Sequence, residues 1–240
     1  MELALMTTHI AIVILAFLTV GGTHKLTSIF KYSRFTDVLN YVLIANVCFL
    51  GIRLISSMPS IGLAGSRTII TIGANVILYS LGFVMLVTAA KSLHNLPESK
   101  DQQLTQLSDA LGYILTVLIL LMIILIPVLH GFLNLIPIPD KPLIPFYEGY
   151  ALASMACTAY VWYISAHGKG YIMRSMQIFI GLPTAAFFVF LVRIVANLSL
   201  FMISDQITEL VRNLIWLCGY GVTLYQLTRY IRYDIKTKSI

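Results

Sequence analysis

The stretch Gly181–Leu200, GLPTAAFFVFLVRIVANLSL, decides which kind of fold this chain can adopt. A helix needs about 20 apolar residues to cross a bilayer, and this run supplies them while carrying Arg193 and Asn197 inside it. An ionisable side chain at such a depth costs at least about 2.5 kcal/mol, so it normally faces a protein interior or a wet cavity and has a partner there. Arg193 is therefore a candidate functional residue.

The composition of the whole chain agrees with that stretch. Of 240 residues, 58% are hydrophobic and only 11% are charged, and the mean hydropathy is +0.88, far above the balance of a soluble globular domain. Apolar runs of about 18 or more residues recur between short polar segments. The chain, residues 1–240, is predicted to form a single all-α integral membrane domain, a seven-transmembrane-helix bundle. Its spans are expected at roughly 5–22, 36–58, 67–92, 106–135, 145–167, 173–202 and 206–231.

The basic residues are distributed unevenly between the two sides of this bundle. With seven spans, the loops after helices one, three and five share a side with the C-terminal tail, and the opposite loops hold only Arg67 and Lys141. The basic residues of the first side are Lys25, Lys31, Arg34, Lys91, Lys100, Lys169, Arg174, Arg229, Arg232, Lys236 and Lys238. The positive-inside rule predicts an N-terminus outside or in the lumen and a cytosolic C-terminus, and we expect the membrane of the endoplasmic reticulum. The net charge of +6 then reflects topology and anionic lipid, and no nucleic-acid partner is expected.

Several cofactor and enzyme classes find no support in the sequence. The three cysteines, Cys48, Cys157 and Cys218, all fall inside predicted spans, so they are expected to be small packing residues. A di-haem protein needs histidines on facing helices at two depths, and only His9 and His130 could share the outer side. A retinal protein needs a lysine deep in a helix, which predicted helix seven lacks. Without a phosphate loop, HExxH or CxxC motif, we expect no metal and no organic cofactor.

Under this orientation, polar and aromatic side chains of several helices fall at one depth, in the outer half of the bundle. Glu209, Arg212, Trp216 and Tyr220 recur at i, i+3, i+7 and i+11, which makes one stripe on helix seven. Pairing of arginines with acids at this depth would offset much of the desolvation cost of each. The candidate binding residues are Arg53, Asn75, Tyr79, His130, Arg193, Asn197, Arg212, Trp216 and Tyr220, and the candidate catalytic acids are Glu148 and Glu209. Together they predict a pocket with aromatic rings below and a charged ring above.

Each of these residues also has a purely structural interpretation. Arg53 and Arg193 could extend to lipid headgroups, and Glu209 with Arg212 could be a simple i, i+3 pair on a helix surface. An aromatic stripe is also typical of helix packing or of a membrane-interface belt. A shared site is favoured by the number of such residues at one depth.

The segments FLGIRLISS and PTAAFFVFLVRIVANL each place an arginine within an apolar helix. With the small size and seven spans, this pattern resembles a group of small fungal seven-helix membrane proteins that includes membrane-bound terpene cyclases of meroterpenoid pathways, of the ascofuranone-pathway type. The better-known membrane cyclases of this kind carry a Trp-Glu pair in an early helix and an Asp in the last one. Here the early position is CFLGIR, Cys48–Arg53, so their acid cannot be carried over.

What the resemblance implies is an isomerase or lyase of fungal secondary-metabolite biosynthesis. Such an enzyme would cyclise an epoxidised prenylated substrate, reached through the bilayer, by acid-initiated carbocation chemistry, in a pathway with a prenyltransferase and an epoxidase. An acid must protonate the epoxide and aromatic faces must stabilise the cation. Glu209 or Glu148 would be the acid, and Trp216, Tyr220 and Tyr79 would form the aromatic wall.

A second function from another class stays open. Four arginines at one depth suit a phosphate or carboxylate better than they suit acid catalysis. The alternative is a non-enzymatic seven-helix protein for lipid binding or transport, or a receptor-like protein, that holds an anionic headgroup.

Overall fold

The structure of the chain, a computed structural model, describes residues 2–31, 35–57, 69–94, 110–118, 121, 153–163, 171–197 and 204–238. All regular secondary structure in these ranges is helical. Helix α1 is Glu2–Ile29, α2 is Phe35–Ser57 and α3 is Ile69–His94, while α6 is Tyr171–Asn197 and α7 is Asp205–Lys238. Between them, α4 is described over 110–118 and α5 over 153–163. The predicted all-helical class is confirmed for this part of the chain.

Two helices are longer than the hydropathy pattern predicts. Helix α1 has 28 residues and α7 has 34, because a helix can continue through polar flanks that hydropathy does not score as membrane. The start of α7 is capped by Ser204, whose Oγ accepts from the backbone N–H of Ile207 over 3.4 Å, while its carbonyl accepts the first helical bonds, from Ile207 and Thr208 at 3.0 Å each. Asp205 in the first turn adds a negative charge where the helix dipole favours it.

Three of the helices are long and apolar enough to cross a membrane: Glu2–Ile29, Phe35–Ser57 and the Gly73–Ser92 part of α3. The apolar part of α6, Ile180–Ala196, is shorter. Polar side chains spread along α7 keep it outside this group. By length and composition, therefore, the chain is a membrane protein.

The distribution of side chains on α1 supports this conclusion. The face of α1 that packs against other helices carries His9, Thr19 and Thr23 beside small and aliphatic residues. The exposed residues between positions 8 and 20 are all apolar, namely Ile10, Ile14, Phe17 and Leu18. Helix α7 has the same arrangement, with Ile207, Val211, Leu214, Val222 and Tyr225 exposed. Polar groups inside and apolar groups outside are the arrangement that a bilayer favours.

Helices α1 and α7 lie side by side and run in the same direction. Near the start of both, the Asn213 side-chain amide donates to Thr8 Oγ1 over 3.1 Å. About four turns further along both helices, a Cβ built on Gly22 would lie 3.9 Å from the Leu227 Cβ. The first and last described helices are thus parallel neighbours.

The other pairs of contacting helices are antiparallel. In α2 and α3, Arg53 meets Tyr79 and Phe49 meets Gly82, so residue numbers rise along one helix as they fall along the other. Contacts run from α1 to α2, α2 to α3, α3 to α6, α6 to α7 and α7 back to α1. These five helices form a closed ring. We call the end where α1, α3 and α7 begin the upper end, and the opposite end the lower end.

Helices α6 and α7 approach each other through small residues. A Cβ on Gly181 would lie 2.5 Å from Thr223 Oγ1 and 3.0 Å from the Gly219 carbonyl oxygen, and a Cβ on Gly219 would overlap Ala185. The pairs Gly181 with Ala185 and Gly219 with Thr223 are each four residues apart, the small-xxx-small pattern of closely packed membrane helices. The start of the GLPTAAFF stretch therefore packs directly against α7.

Candidate functional site

Arg53 of α2 is the charged side chain at which three helices meet. It is only 7% exposed and donates from Nη2 to the hydroxyl of Tyr79 on α3 over 2.6 Å. Its guanidinium carbon lies 4.3 Å from the ring centroid of Trp216 on α7, a cation–π contact worth about 2 kcal/mol when desolvated. Within the described part of the chain, no carboxylate forms an ion pair with Arg53. A positive charge is thus buried among aromatic groups.

An aromatic cluster surrounds this charge, and four helices supply it. Tyr79 stacks on Phe83 with centroids 6.2 Å apart and meets the edge of Phe190 on α6 at 5.2 Å. Trp216 lies 5.9 Å from Tyr220 and 6.3 Å from Phe49 on α2. Edge-on and offset contacts at such distances are the favourable ones for aromatic rings. The cluster fixes the position of Arg53 and Trp216 within the upper half of the ring.

Three polar atoms of this cluster have no hydrogen-bond partner among the described residues: Arg53 Nε, Trp216 Nε1 and the Tyr220 hydroxyl oxygen. Trp216 and Tyr220 are both 0% exposed. The indole and guanidinium groups can only donate, whereas the phenol can donate or accept. A buried donor without an acceptor costs about 1 to 3 kcal/mol, so this group of atoms calls for an acceptor.

A polar layer lies above the cluster, toward the upper end. Arg212 Nη1 donates to Glu209 Oε2 over 2.6 Å, the i, i+3 pair that the structural interpretation of these two residues describes. Glu209 Oε1 is also 4.0 Å from His9 Nε2 of α1. In this layer Glu209 acts as an acceptor and ion-pair partner, the role of its carboxylate form. The layer joins α1 to α7 and leaves the charge of Arg212 balanced.

The structure brings some of the predicted site residues together in one cluster and places others in the layer above it. Arg53, Tyr79, Trp216 and Tyr220 come together as one cluster, and Arg212 and Glu209 lie one and two turns above Trp216 on the same helix. Among the described residues the partners of Arg53 are aromatic, and the expected pairing with an acid stays a prediction. The predicted stripe on α7 therefore supplies both the cluster and the layer above it.

The remaining predicted residues are only partly described. Arg193 is half-buried on α6, one turn above Phe190, and Asn75 is half-buried one turn above Tyr79, with no hydrogen-bond partner for its Oδ1 in the described ranges. Asn197 ends α6, but its side chain lies outside the described part. His130 and Glu148 both lie outside the described residues. Whether they join the site stays a prediction.

Sequence reasoning missed several residues of this region. The sequence suggested His9 only as a possible haem ligand. In the structure it is 8% exposed and lies beside Glu209. Phe49, Phe83 and Phe190 complete the cluster but carry no polar atom to attract notice. The position of His9 along its helix could have indicated it. His9 and Glu209 both lie in the early turns of helices that start at the same end, and therefore at a similar depth in the bundle. Cys218 also departs from the packing role predicted for it, because it is exposed on α7, whereas Cys48 and Cys157 are buried.

Among the described residues, no three His, Cys, Asp or Glu side chains come together as they would around a metal ion. The aromatic cluster, the Arg53 charge and the free donors are instead suited to an organic ligand with acceptor oxygens. In comparisons with protein-family models, curated proteins and solved structures, no match to this chain was found. The geometry around Arg53 is therefore the basis for assigning a function.

Proposed function

We propose that the chain is a seven-helix integral membrane protein that binds the anionic headgroup of a lipid-like molecule in the upper half of its bundle. The observation that carries this proposal is the buried guanidinium of Arg53, which has no carboxylate partner among the described residues. A buried charge left without a counter-charge is strongly unfavourable. An anionic ligand would supply that counter-charge.

The directions of the helices support seven spans. Helix α3 runs from the upper to the lower end, and α6, antiparallel to α7, begins at the lower end. The chain between α3 and α6 therefore leaves and returns at the same end, which requires an even number of crossings. Helices α4 and α5 would be two such crossings. Helix α7 has an exposed apolar face, so its polar residues, which face the bundle, do not argue against a seventh span.

The charges at the two ends support the orientation. Lys25, Lys31, Arg229 and Arg232 are all exposed at the lower end, where they could meet anionic headgroups of a cytosolic leaflet. At the upper end, by contrast, Arg53 is buried. This difference separates the charges that set topology from the charge that belongs to the site. It fits a cytosolic C-terminus and a lumenal upper end in the endoplasmic reticulum.

The test of the binding proposal is the removal of the Arg53 charge. Purified protein in lipid nanodiscs is assayed for binding of radiolabelled oleate, and Arg53→Gln is compared with Arg229→Gln, an exposed arginine on α7. We expect Arg53→Gln to weaken binding at least about tenfold, as for loss of a charged hydrogen-bonding partner, and Arg229→Gln to leave it unchanged. Equal binding by both variants, or no binding by the native protein, would overturn the proposal.

A terpene cyclase is the second candidate, and the contact of Arg53 with Trp216 favours it. The ring of Trp216 already carries a cation on its face, and Tyr220 and Tyr79 are close by. A carbocation could be stabilised by the same faces in an isomerase or lyase that needs no cofactor. Against this candidate, Glu209 is engaged with Arg212, which suits a carboxylate better than a proton donor.

Substitution of the two candidate acids distinguishes the two candidate functions. An epoxidised prenylated substrate, made by co-expressed prenyltransferase and epoxidase, is offered to Glu209→Gln and Glu148→Gln variants made singly. If the chain is a cyclase, one of them should lose product formation at wild-type membrane levels. Normal product formation by both would rule out these acids, and no product from the native chain would rule out this substrate class.

A further inference from the structure

We infer that the headgroup bound in this site is a monoanion with two acceptor oxygens, as in a carboxylate or a phosphodiester, and that Trp216 and Tyr220 donate hydrogen bonds to it. The inference rests on the proposed binding function. It goes further by naming the charge of the headgroup and two ligand-binding residues beyond Arg53.

The charge of the headgroup follows from the balance of charges around the cluster. Arg212 is matched by Glu209 at 2.6 Å, which leaves Arg53 as the buried charge to be matched. Arg193 is half-buried on α6 and is already engaged in an interaction of its own. A monoanion would balance Arg53, whereas a phosphomonoester dianion would bring a second charge into a dry site at a large desolvation cost.

The donors follow from the atoms that lack partners. Arg53 Nε, Trp216 Nε1 and the Tyr220 hydroxyl have no hydrogen-bond partner in the described ranges. They belong to one cluster, because Arg53 lies 4.3 Å from the Trp216 ring and Tyr220 lies 5.9 Å from it. Two oxygens of a carboxylate or phosphodiester offer about four lone-pair sites. One such group can accept from all three donors.

Packing alone does not account for the residue types at these two positions. Phe49, Phe83 and Phe190 fill the same cluster with rings that carry no polar atom. If Trp216 and Tyr220 only filled space, their N–H and O–H groups would be buried at a net loss of stability. Donation to a ligand removes that loss.

The experiment compares Trp216→Phe and Tyr220→Phe with two matched controls on exposed residues, Trp162→Phe and Tyr225→Phe. Binding is measured at about pH 8, where a phosphomonoester is a dianion. The four probes carry the same type of hydrocarbon chain and differ in their headgroups: oleate, dioleyl phosphate, oleyl phosphate and oleyl alcohol. Oleate and dioleyl phosphate separate a carboxylate from a phosphodiester source. We expect at least one of these monoanions to bind about tenfold or more tightly than oleyl phosphate and oleyl alcohol. We also expect Trp216→Phe and Tyr220→Phe each to weaken that binding about tenfold, with both controls unchanged.

A second measurement places the ligand and checks folding. In the Trp162→Phe protein, Trp216 is the sole tryptophan, since the chain has only two, and a brominated oleate should quench its fluorescence. The unfolding temperature without ligand should be no lower in Tyr220→Phe than in the native protein, because the removed hydroxyl has no partner to lose and its burial costs stability. Equal binding of the dianion, or native affinity in both Phe variants, would overturn the inference. If Arg53→Gln still weakens binding in that case, the proposed function survives alone.

Discussion

Arg53 illustrates what the pattern of one helix can predict and what it cannot. Its position near the end of an apolar helix marks it as a site residue, and helical spacing places Glu209, Arg212, Trp216 and Tyr220 on one face of α7. These are properties of one helix, so the sequence contains them. The partners of Arg53 depend on which helices become neighbours, and the sequence pattern contains no such information. Among the described residues, Tyr79 and Trp216 hold the arginine, and the expected pairing with an acid stays a prediction, because Glu148 lies outside them.

A second buried polar contact, near the lower end, lets the strength of such interactions be measured away from the site. Asn46 Nδ2 of α2 donates to Thr23 Oγ1 of α1 over 2.9 Å, and both residues are buried. Thr23→Val keeps the shape of the side chain but leaves the amide without its acceptor. We expect a loss of about 1 kcal/mol in the free energy of unfolding, measured by detergent titration in mixed micelles.

The matched control is Thr228→Val on α7. Thr228 is exposed, and its hydroxyl bonds only to carbonyls of its own helix, Leu224 and Tyr225. We expect it to change stability by no more than about 0.5 kcal/mol. A loss in Thr23→Val no larger than in Thr228→Val would mean that Asn46 finds another partner.

At the scale of the helices, hydropathy located the membrane-crossing parts but not the ends. Helix α1 was expected at roughly 5–22, yet it extends over Glu2–Ile29. Hydropathy reports transfer into hydrocarbon, whereas helix ends depend on backbone hydrogen bonds, caps and the absence of breakers such as proline. The same distinction applies to α7, which was expected at roughly 206–231 but is not among the three helices that are apolar enough to cross a membrane, although large apolar side chains are exposed along it.

The parallel pairing of α1 with α7 can be tested by cross-linking. A Cβ on Gly22 would lie 3.9 Å from the Leu227 Cβ, within the range of about 3.5 to 4.5 Å found in disulfides. In a background with the three native cysteines changed to alanine, we expect the Gly22→Cys, Leu227→Cys pair to form a disulfide under mild oxidation. Mass spectrometry of the oxidised peptides would detect it.

Gly21 supplies the control for this cross-link. A Cβ there would meet nothing within 4 Å, so the Gly21→Cys, Leu227→Cys pair should stay reduced under the same conditions. Equal cross-linking of the two pairs would contradict the packing of α1 on α7. A cross-link between Thr8→Cys and Leu227→Cys instead would show that the two helices run in opposite directions.

At the scale of the whole molecule, composition was sufficient to predict an all-helical membrane protein, because the hydrophobic content leaves few other folds open. The number of spans is harder to obtain from composition, since the polar face of α7 lowers its mean hydropathy. The ring of five contacting helices could not be predicted either. It depends on close approaches such as that of Gly219 to Ala185, which only a pair of neighbouring helices defines.

The orientation gives the prediction for the whole molecule. We expect an epitope tag at the N-terminus to be protected from protease in sealed endoplasmic-reticulum vesicles, and a tag at the C-terminus to be digested, because the proposed seven spans would place them on opposite sides. Detergent should expose the N-terminal tag. Tags digested from the same side would mean an even number of spans and would exclude the seven-helix arrangement.

The contact between α1 and α7 has a consequence for the synthesis of the protein. Of the described helices, α1 is made before the others, but the partner that joins Thr8 and His9 is α7, the last of them to be made. Until then, part of the polar face of α1 has no native neighbour in the membrane. A chain that ends before α7 would leave those polar groups of α1 without their partners on α7, at a cost in free energy within the bilayer.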